Sequence, residues 1–124
     1  MPLPETLLEV LKQDGVVAIT TIGRDGPHMV NTWHNYIRFS EDGRLLIPAG
    51  YMNQTQANVE ADNRVLLTMG SSKVPGKRGP GTGFLINGTA NFITEGLDFD
   101  VIKASFPWAR GVLAITVSTA TQTL

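Results

Sequence analysis

Apolar residues recur along the chain with two spacings, one typical of helices and one typical of strands. Four apolar residues near the amino terminus share one helical face: Leu7, Leu8, Val10 and Leu11. The Asp14-Gly15 pair that follows supplies a helix stop signal. The next segment, VVAITTIG, is rich in β-branched residues and predicts a strand.

Five further segments have the composition of strands. They are the stretch around Trp33, then LLIPAG, RVLLTMG, FLINGTANFIT and GVLAITVSTATQTL. The first is predicted as a long strand that includes VNTWHNYI, residues 30–37, so Trp33 and Tyr36 are expected on opposite faces. Turn-forming stretches such as RDGPH and SEDGR join neighbouring strands as hairpins.

Two shorter helices are predicted between the strands. Asn53 is a candidate N-cap after IPAGYM, and a helical spacing of Phe99, Ile102 and Phe106 ends at Pro107. Six strands with two or three short helices predict a mainly β fold, an antiparallel sheet closed into a small barrel. The sequence has no internal repeat or low-complexity linker, which favours one domain over residues 1–124.

Composition and charge exclude several classes of function. The chain has 124 residues and no cysteine, so any redox role must use a bound cofactor rather than thiols or an iron–sulfur cluster. The net charge is −1, and only Lys73, Lys77 and Arg78 are grouped, which disfavours nucleic-acid binding. The amino terminus has no signal-peptide pattern, and no apolar run approaches the ~20 residues of a membrane span. We therefore expect a cytoplasmic protein with no membrane partner.

The familiar catalytic and nucleotide-binding motifs are absent from the sequence. The glycine-rich stretch SSKVPGKRGPGTG is predicted as a long loop, but Ser71 and Arg78 stand where a P-loop needs Gly and Ser or Thr. A flexible loop and an anion cradle both remain open for this stretch. His28 and His34 would lie roughly 20 Å apart on one strand, too far for a shared metal ion. The sequence therefore gives no catalytic residue and no metal site.

Two stretches suggest ligand binding. The helix predicted to begin near Asn53 would present free N–H groups, with Gln54 and Thr55 beside them, to an anion; a capped surface helix is the alternative. Asn31 shares a predicted strand face with Trp33, and such a face suits an aromatic, hydrogen-bonding ligand. Burial of Trp33 in the core is the alternative there.

Several segments together resemble the pyridoxamine 5′-phosphate oxidase-like FMN-binding split-barrel family, in particular its minimal members, the small FMN-binding proteins of sulfate-reducing bacteria. They are GVVAI, DGPHMVNTW, PAGYMNQTQANV, RVLLTMGS, GPGTGFLINGTA and ITVSTATQTL. The order and near-identical spacing cover essentially the whole chain. The resemblance implies a six-stranded antiparallel split β-barrel of Greek-key type, a homodimer, and one non-covalent FMN per subunit near the interface.

The resemblance also implies the cofactor-binding residues. The phosphate would be held by the Asn31-Thr32 segment and the Gly50 to Thr55 turn, and the flavin ring would lie near Trp33, with Leu124 covering it from the other subunit. The implied set is Asn31, Thr32, Trp33, Tyr36, Pro48, Ala49, Gly50, Tyr51, Met52, Gln54, Thr55, Gly81, Thr82, Gly83, Trp108 and Leu124. Relatives commonly have lysine where this chain has Gln54, which is expected to lower FMN affinity.

Three functions are compatible with these residues. The first is a small electron-transfer flavoprotein whose chemistry is that of FMN, with a redox partner that the sequence does not identify. The second is an enzyme of the same fold, either a pyridoxamine 5′-phosphate oxidase-like enzyme or an NAD(P)H:flavin oxidoreductase. The third is a barrel that binds another ligand such as haem, or none. The lack of a catalytic acid, base or nucleophile in the sequence favours the first.

Overall fold

The computed structural model describes residues 3–124. Within this range the chain forms three α-helices, one 3-10 helix and seven strands. In order they are α1 (Glu5–Lys12), β1 (Val16–Gly23), β2 (Gly26–Trp33), the 3-10 helix (His34–Tyr36), β3 (Arg38–Phe39), β4 (Leu45–Ala49), α2 (Asn53–Ala61), β5 (Arg64–Pro75), β6 (Pro80–Ile93), α3 (Leu97–Ser105) and β7 (Gly111–Gln122). None of the helices in this range has the length and apolar character needed to cross a membrane.

All seven strands belong to one antiparallel sheet, in the order β2-β1-β5-β6-β7-β4-β3. The prediction of a mainly β, antiparallel fold is confirmed. The predicted number of strands, six, and the predicted closure of the sheet into a barrel were wrong. Within residues 3–124 the edge strands β2 and β3 do not pair with each other, so the sheet stays open. The additional strand, Arg38–Phe39, pairs with Leu45 and Leu46 of β4 and is too short to produce a periodic pattern.

The strand predicted through residues 30–37 ends at Trp33, which corrects the sequence interpretation. The backbone N–H of His34 donates to the carbonyl of Gly15 at 2.9 Å, and a 3-10 turn follows. His34 is 2% exposed, and its Nδ1 donates to the carbonyl of Gln13 at 2.9 Å. The turn buries this imidazole, so Trp33 and Tyr36 are not related by strand alternation, and His34 is not on the strand of His28.

The predicted glycine-rich loop is mostly strand. β5 continues to Pro75 and β6 begins at Pro80. Ser71 pairs with Thr82 and Pro75 pairs with Pro80, and the register shifts between these two pairs. Only residues 76–79 form the connection. A long flexible loop was therefore the wrong interpretation, because nine of its thirteen residues belong to β5 or β6.

Two apolar clusters hold the helices against the sheet. The larger one packs Leu7 and Val10 of α1 against sheet residues such as Ile19, Leu67 and Ile86, all fully buried. The smaller one packs α3 against β4 and β7; its members include Leu46, Ile102, Phe106, Val112 and Ala114. Each fully buried large apolar side chain contributes ~1.5–3 kcal/mol to stability. Tyr36 of the 3-10 helix packs against the smaller cluster, which holds this turn next to the segment after α3.

Candidate functional site

A cavity of about 670 Å³ opens beyond the end of β4, between the 3-10 helix and the start of α2. Its walls come from β2, the 3-10 helix, β4, the loop before α2 and the segment after α3. The lining residues are Val30, Asn31, Thr32, Trp33, Tyr36, Pro48, Gly50, Tyr51, Met52 and Trp108. The structure therefore brings together much of the set that the sequence resemblance implied, and adds Val30.

The end of β2 forms the first wall. Thr32 is buried, whereas Trp33 is 52% exposed and lines the cavity. The alternative in which Trp33 is a core residue is therefore wrong. The 3-10 turn interrupts the strand after Trp33, and Tyr36 lines the same cavity as Trp33. A regular strand would have placed the two side chains on opposite faces.

Three aromatic rings form the second wall. Tyr36 lies 5.2 Å from Phe106 and 5.6 Å from Trp108 between ring centroids, and Phe106 and Trp108 are 5.6 Å apart. Phe106 is buried and anchors the group, while Trp108 is half exposed. Gly50 lies opposite Trp108, where a Cβ would be 3.1 Å from Cε3 of the indole. The rings present a fixed apolar surface to a planar ligand.

The cavity extends to the start of α2, where Met52 is one of its lining residues. Met52 precedes the helix with a left-handed backbone, φ 58° and ψ 36°, and is its N-cap residue. The prediction of Asn53 as the N-cap was one residue late, and the cap position makes no side-chain hydrogen bond. The first helical bond is donated by Gln56 N to Met52 O at 2.9 Å. The N–H groups before it lie at the positive end of the helix.

Thr55 lies in this first turn and has an unusual environment. Its side chain is fully buried, and its hydroxyl oxygen has no hydrogen-bond partner among residues 3–124. An unpaired buried hydroxyl costs ~1–3 kcal/mol. Thr55 does not line the cavity itself, but a buried donor beside free helix N–H groups suits an anionic ligand group such as a phosphate.

Gln54 and Ala49 lie outside the cavity. Gln54 borders a separate cavity of about 520 Å³ beside the β1–β2 turn. Its Nε2 donates to Asn58 Oδ1 at 2.7 Å, and Asn58 Nδ2 donates to Thr21 Oγ1 at 3.0 Å. Ala49 is buried behind the wall, opposite Gly111 in the β4–β7 ladder.

The segment Gly81–Gly83 and Leu124 lie together, away from the cavity. Thr82 Oγ1 donates to Leu124 O at 3.0 Å, and Thr123 N donates to Gly83 O at 2.9 Å. These contacts are at the carboxyl end of β7, whereas the cavity is near its first residue, Gly111. β7 has 12 residues, so the two ends are roughly 35 Å apart. Within one subunit the structure therefore splits the implied site in two.

Among the described residues no charged side chain lines the cavity, although the guanidinium of Arg38 lies over the ring of Phe106 and that of Arg110 donates to the carbonyl of Tyr51. The described lining includes no Asp, Glu, Lys, Arg or His, and residues 3–124 contain no group of three side chains that could hold a metal ion. The shifted carboxyl groups are elsewhere: hydrogen bonds from Ser40 and Arg44 lower the pKa of Asp42, and Arg64 lowers the pKa of Asp62 to about 2. The wall can bind and orient a planar ligand, and the phenols of Tyr36 and Tyr51 are the titratable groups among its described lining residues.

Sequence reasoning missed Arg110, which connects the cavity walls. Its Nε and Nη2 donate to the carbonyl of Tyr51 at 3.0 and 2.6 Å, and its Nη1 donates to Gln56 Oε1 at 2.8 Å. These contacts join residues more than fifty positions apart. A local sequence pattern carries no signal for them.

Comparisons with known proteins give the family. The sequence model described as pyridoxamine 5′-phosphate oxidase matches residues 3–122. The chain is 57% identical over 122 residues to a protein named FMN-binding protein from Nitratidesulfovibrio vulgaris (strain DSM 19637 / Miyazaki F), covering 98% of this chain and 99% of that protein.

Solved structures share the fold at low identity. HupZ from Group A Streptococcus matches with a TM-score of 0.78 at 16% identity, over 98% of this chain and 94% of that one. An FMN-binding protein from Syntrophomonas wolfei matches with a TM-score of 0.70 at 13% identity, over 97% and 85% of the two chains. These likenesses concern the fold alone.

Proposed function

The chain belongs to the pyridoxamine 5′-phosphate oxidase family, and from this premise we propose that it is an FMN-binding flavoprotein of split-barrel type that transfers electrons. The observation that carries the proposal is the pairing of an aromatic wall with the start of α2 across one cavity. FMN has the matching chemistry, with a planar ring at one end and a phosphate at the other. The relative from Nitratidesulfovibrio vulgaris, named for FMN binding, supports the same cofactor.

The residues present fit this cofactor. Trp33, Tyr36 and Trp108 would flank the ring system, and Asn31 would hydrogen-bond to the polar part of the flavin. The Thr55 hydroxyl and the first N–H groups of α2 would hold the phosphate. FMN would supply the electron transfer when bound. The protein's part is to bind it, orient it and limit the access of water to it.

A homodimer completes the site in this proposal. Gly81–Gly83 and Leu124 cannot reach the cavity of their own subunit, because β7 separates them from it. Leu124 is 62% exposed and its carbonyl is held by Thr82 and Lys77. This ordered apolar end can therefore cover the cavity of a second copy. The proposal accordingly places each FMN near the interface between subunits.

Electron transfer is favoured over an enzymatic reaction by the uncharged wall. Among the described lining residues there is no carboxylate, imidazole or ammonium group that could move a substrate proton. The test is to titrate apoprotein with FMN, and then to assay the loaded protein with NADH, NADPH and pyridoxamine phosphate. We expect tight binding and no sustained turnover. A protein that takes up no FMN would refute the flavin proposal, and steady turnover would favour the enzyme.

A further inference from the structure

Arg110 lies just before β7 and reaches back over the loop that precedes α2. Its backbone N–H donates to the carbonyl of Ala49 at 2.9 Å. Its Nε and Nη2 both donate to the carbonyl of Tyr51. One side chain therefore fixes the direction of the chain directly before Met52. The guanidinium also lies 4.9 Å from the ring centre of Phe92, which limits its freedom.

The same guanidinium reaches α2 itself. Nη1 donates to Gln56 Oε1, and the backbone N–H of Gln56 makes the first helical bond to Met52 O. Met52 has a left-handed backbone, which is strained for a residue with a side chain and persists where its surroundings hold it. Arg110 binds the residues on both sides of this strained position. Arg110 thus connects the start of β7 to the loop before α2 and to the first turn of α2.

The contacts of Arg110 are confined to one end of the cavity. It does not line the cavity, and its side-chain hydrogen bonds go to the loop and to α2. The aromatic wall is held by other contacts: Ala109 N donates to Phe106 O at 2.9 Å, and Lys103 Nζ donates to Ala109 O at 2.7 Å. Loss of the Arg110 side chain would therefore disturb the helix start more than the rings.

We propose that Arg110 is a positioning residue that aims the start of α2 at the phosphate of the flavin. This inference rests on the proposed FMN function. A planar guanidinium can donate to Tyr51 and Gln56 at once because its donors form a rigid fork, whereas an ammonium group on a flexible stem cannot span both. The geometry of the fork matters here in addition to the charge.

The test compares FMN with riboflavin, which has the same ring system but no phosphate. Arg110→Ala and Arg110→Lys are titrated with both ligands by quenching of flavin fluorescence. We expect Arg110→Ala to weaken FMN binding by about tenfold or more, because a displaced helix start loses its phosphate contacts. Riboflavin affinity should change less than about threefold, since the ring contacts remain. Arg110→Lys should behave like Arg110→Ala.

Controls separate this inference from a general loss of structure. Arg64→Ala removes another hydrogen-bonded arginine, paired with Asp62 outside the cavity, and should leave both affinities unchanged. If Arg110→Ala fails to fold, Gln56→Ala, which removes one acceptor on α2, should still weaken FMN binding selectively. Equal weakening of FMN and riboflavin, or unchanged FMN binding, would overturn the inference. A wild-type protein that binds neither flavin would instead overturn the proposed function.

Discussion

The imidazole of His34 lies directly against the backbone of Gly15: a Cβ on Gly15 would be 2.5 Å from Cε1 of the ring. The neighbouring backbone bond from His34 N to Gly15 O, 2.9 Å long, joins the start of β1 to the 3-10 turn. This turn carries Tyr36 to the cavity. The absence of a side chain at position 15 is therefore a condition for the geometry of the site.

Gly15→Ala should destabilise the protein and weaken FMN binding. The added methyl group overlaps His34, and forced repacking of this kind costs ~1–3 kcal/mol. Chemical denaturation measures the change in free energy of unfolding. The His34→Ala background provides the control, because the methyl group then has room and Gly15→Ala should cost less there. An equal cost in both backgrounds would show that the overlap is not the cause.

Trp33→Ala should weaken FMN binding and change the reduction potential with little loss of stability. Trp33 is 52% exposed, so its removal leaves the core intact, whereas an aromatic contact with the ring is worth ~0.5–1.5 kcal/mol. Titration and potentiometry measure the two effects. Met29→Ala is a matched control, since Met29 is exposed on the same strand and does not line the cavity. An unchanged potential and affinity would argue against contact between Trp33 and the flavin.

Gln54→Lys should tighten FMN binding by roughly ten- to a hundredfold, because a charge-assisted bond to phosphate is worth ~1.5–3 kcal/mol. Gln54 lies in the first turn of α2 and is held only by Asn58 among the described side chains. Riboflavin affinity should not change. Ala57→Lys places the same charge on an exposed position further along α2 and should have a smaller effect. Weaker or unchanged FMN binding by Gln54→Lys would place the phosphate elsewhere.

The carboxyl group of Asp62 should titrate well below its usual range. Hydrogen bonds from the Arg64 side chain and backbone lower its pKa from 3.8 to about 2. Because the folded pKa is lower than the unfolded one, the pairing stabilises the fold above pH 3.8, and this contribution is lost as the pH falls towards 2. Titration by NMR measures the pKa. In Arg64→Ala it should return towards 3.8, and a pKa that stays near 2 would contradict the assignment.

Segments with a sustained pattern were predictable from the sequence, and short or interrupted ones were not. α1 and the longer strands follow their apolar spacing. The 3-10 turn at His34 was missed because Trp33 and Tyr36 are typical strand residues, while the turn is fixed by contacts with Gly15 and Gln13. Pairing between edge strands depends on the twist of the whole sheet, which a local pattern does not record.

The candidate site was predictable in pieces. The segments Asn31–Trp33 and Gly50–Met52 both line the cavity, because one lies at the end of β2 and the other directly follows β4. The resemblance placed Leu124 over the flavin of the other subunit, and the register of β7 is compatible with this because it keeps Leu124 away from the cavity of its own subunit. Arg110 was missed because its role depends on hydrogen bonds between distant parts of the chain.

The most direct test of the central claim is the flavin content and mass of the native species, measured together by absorbance and light scattering. We predict one FMN per chain in a particle of twice the 13.4 kDa chain mass. A preparation that remains colourless after incubation with FMN would contradict the proposed cofactor. A 13.4 kDa monomer carrying a full equivalent of FMN would contradict the proposal that a second copy completes the site.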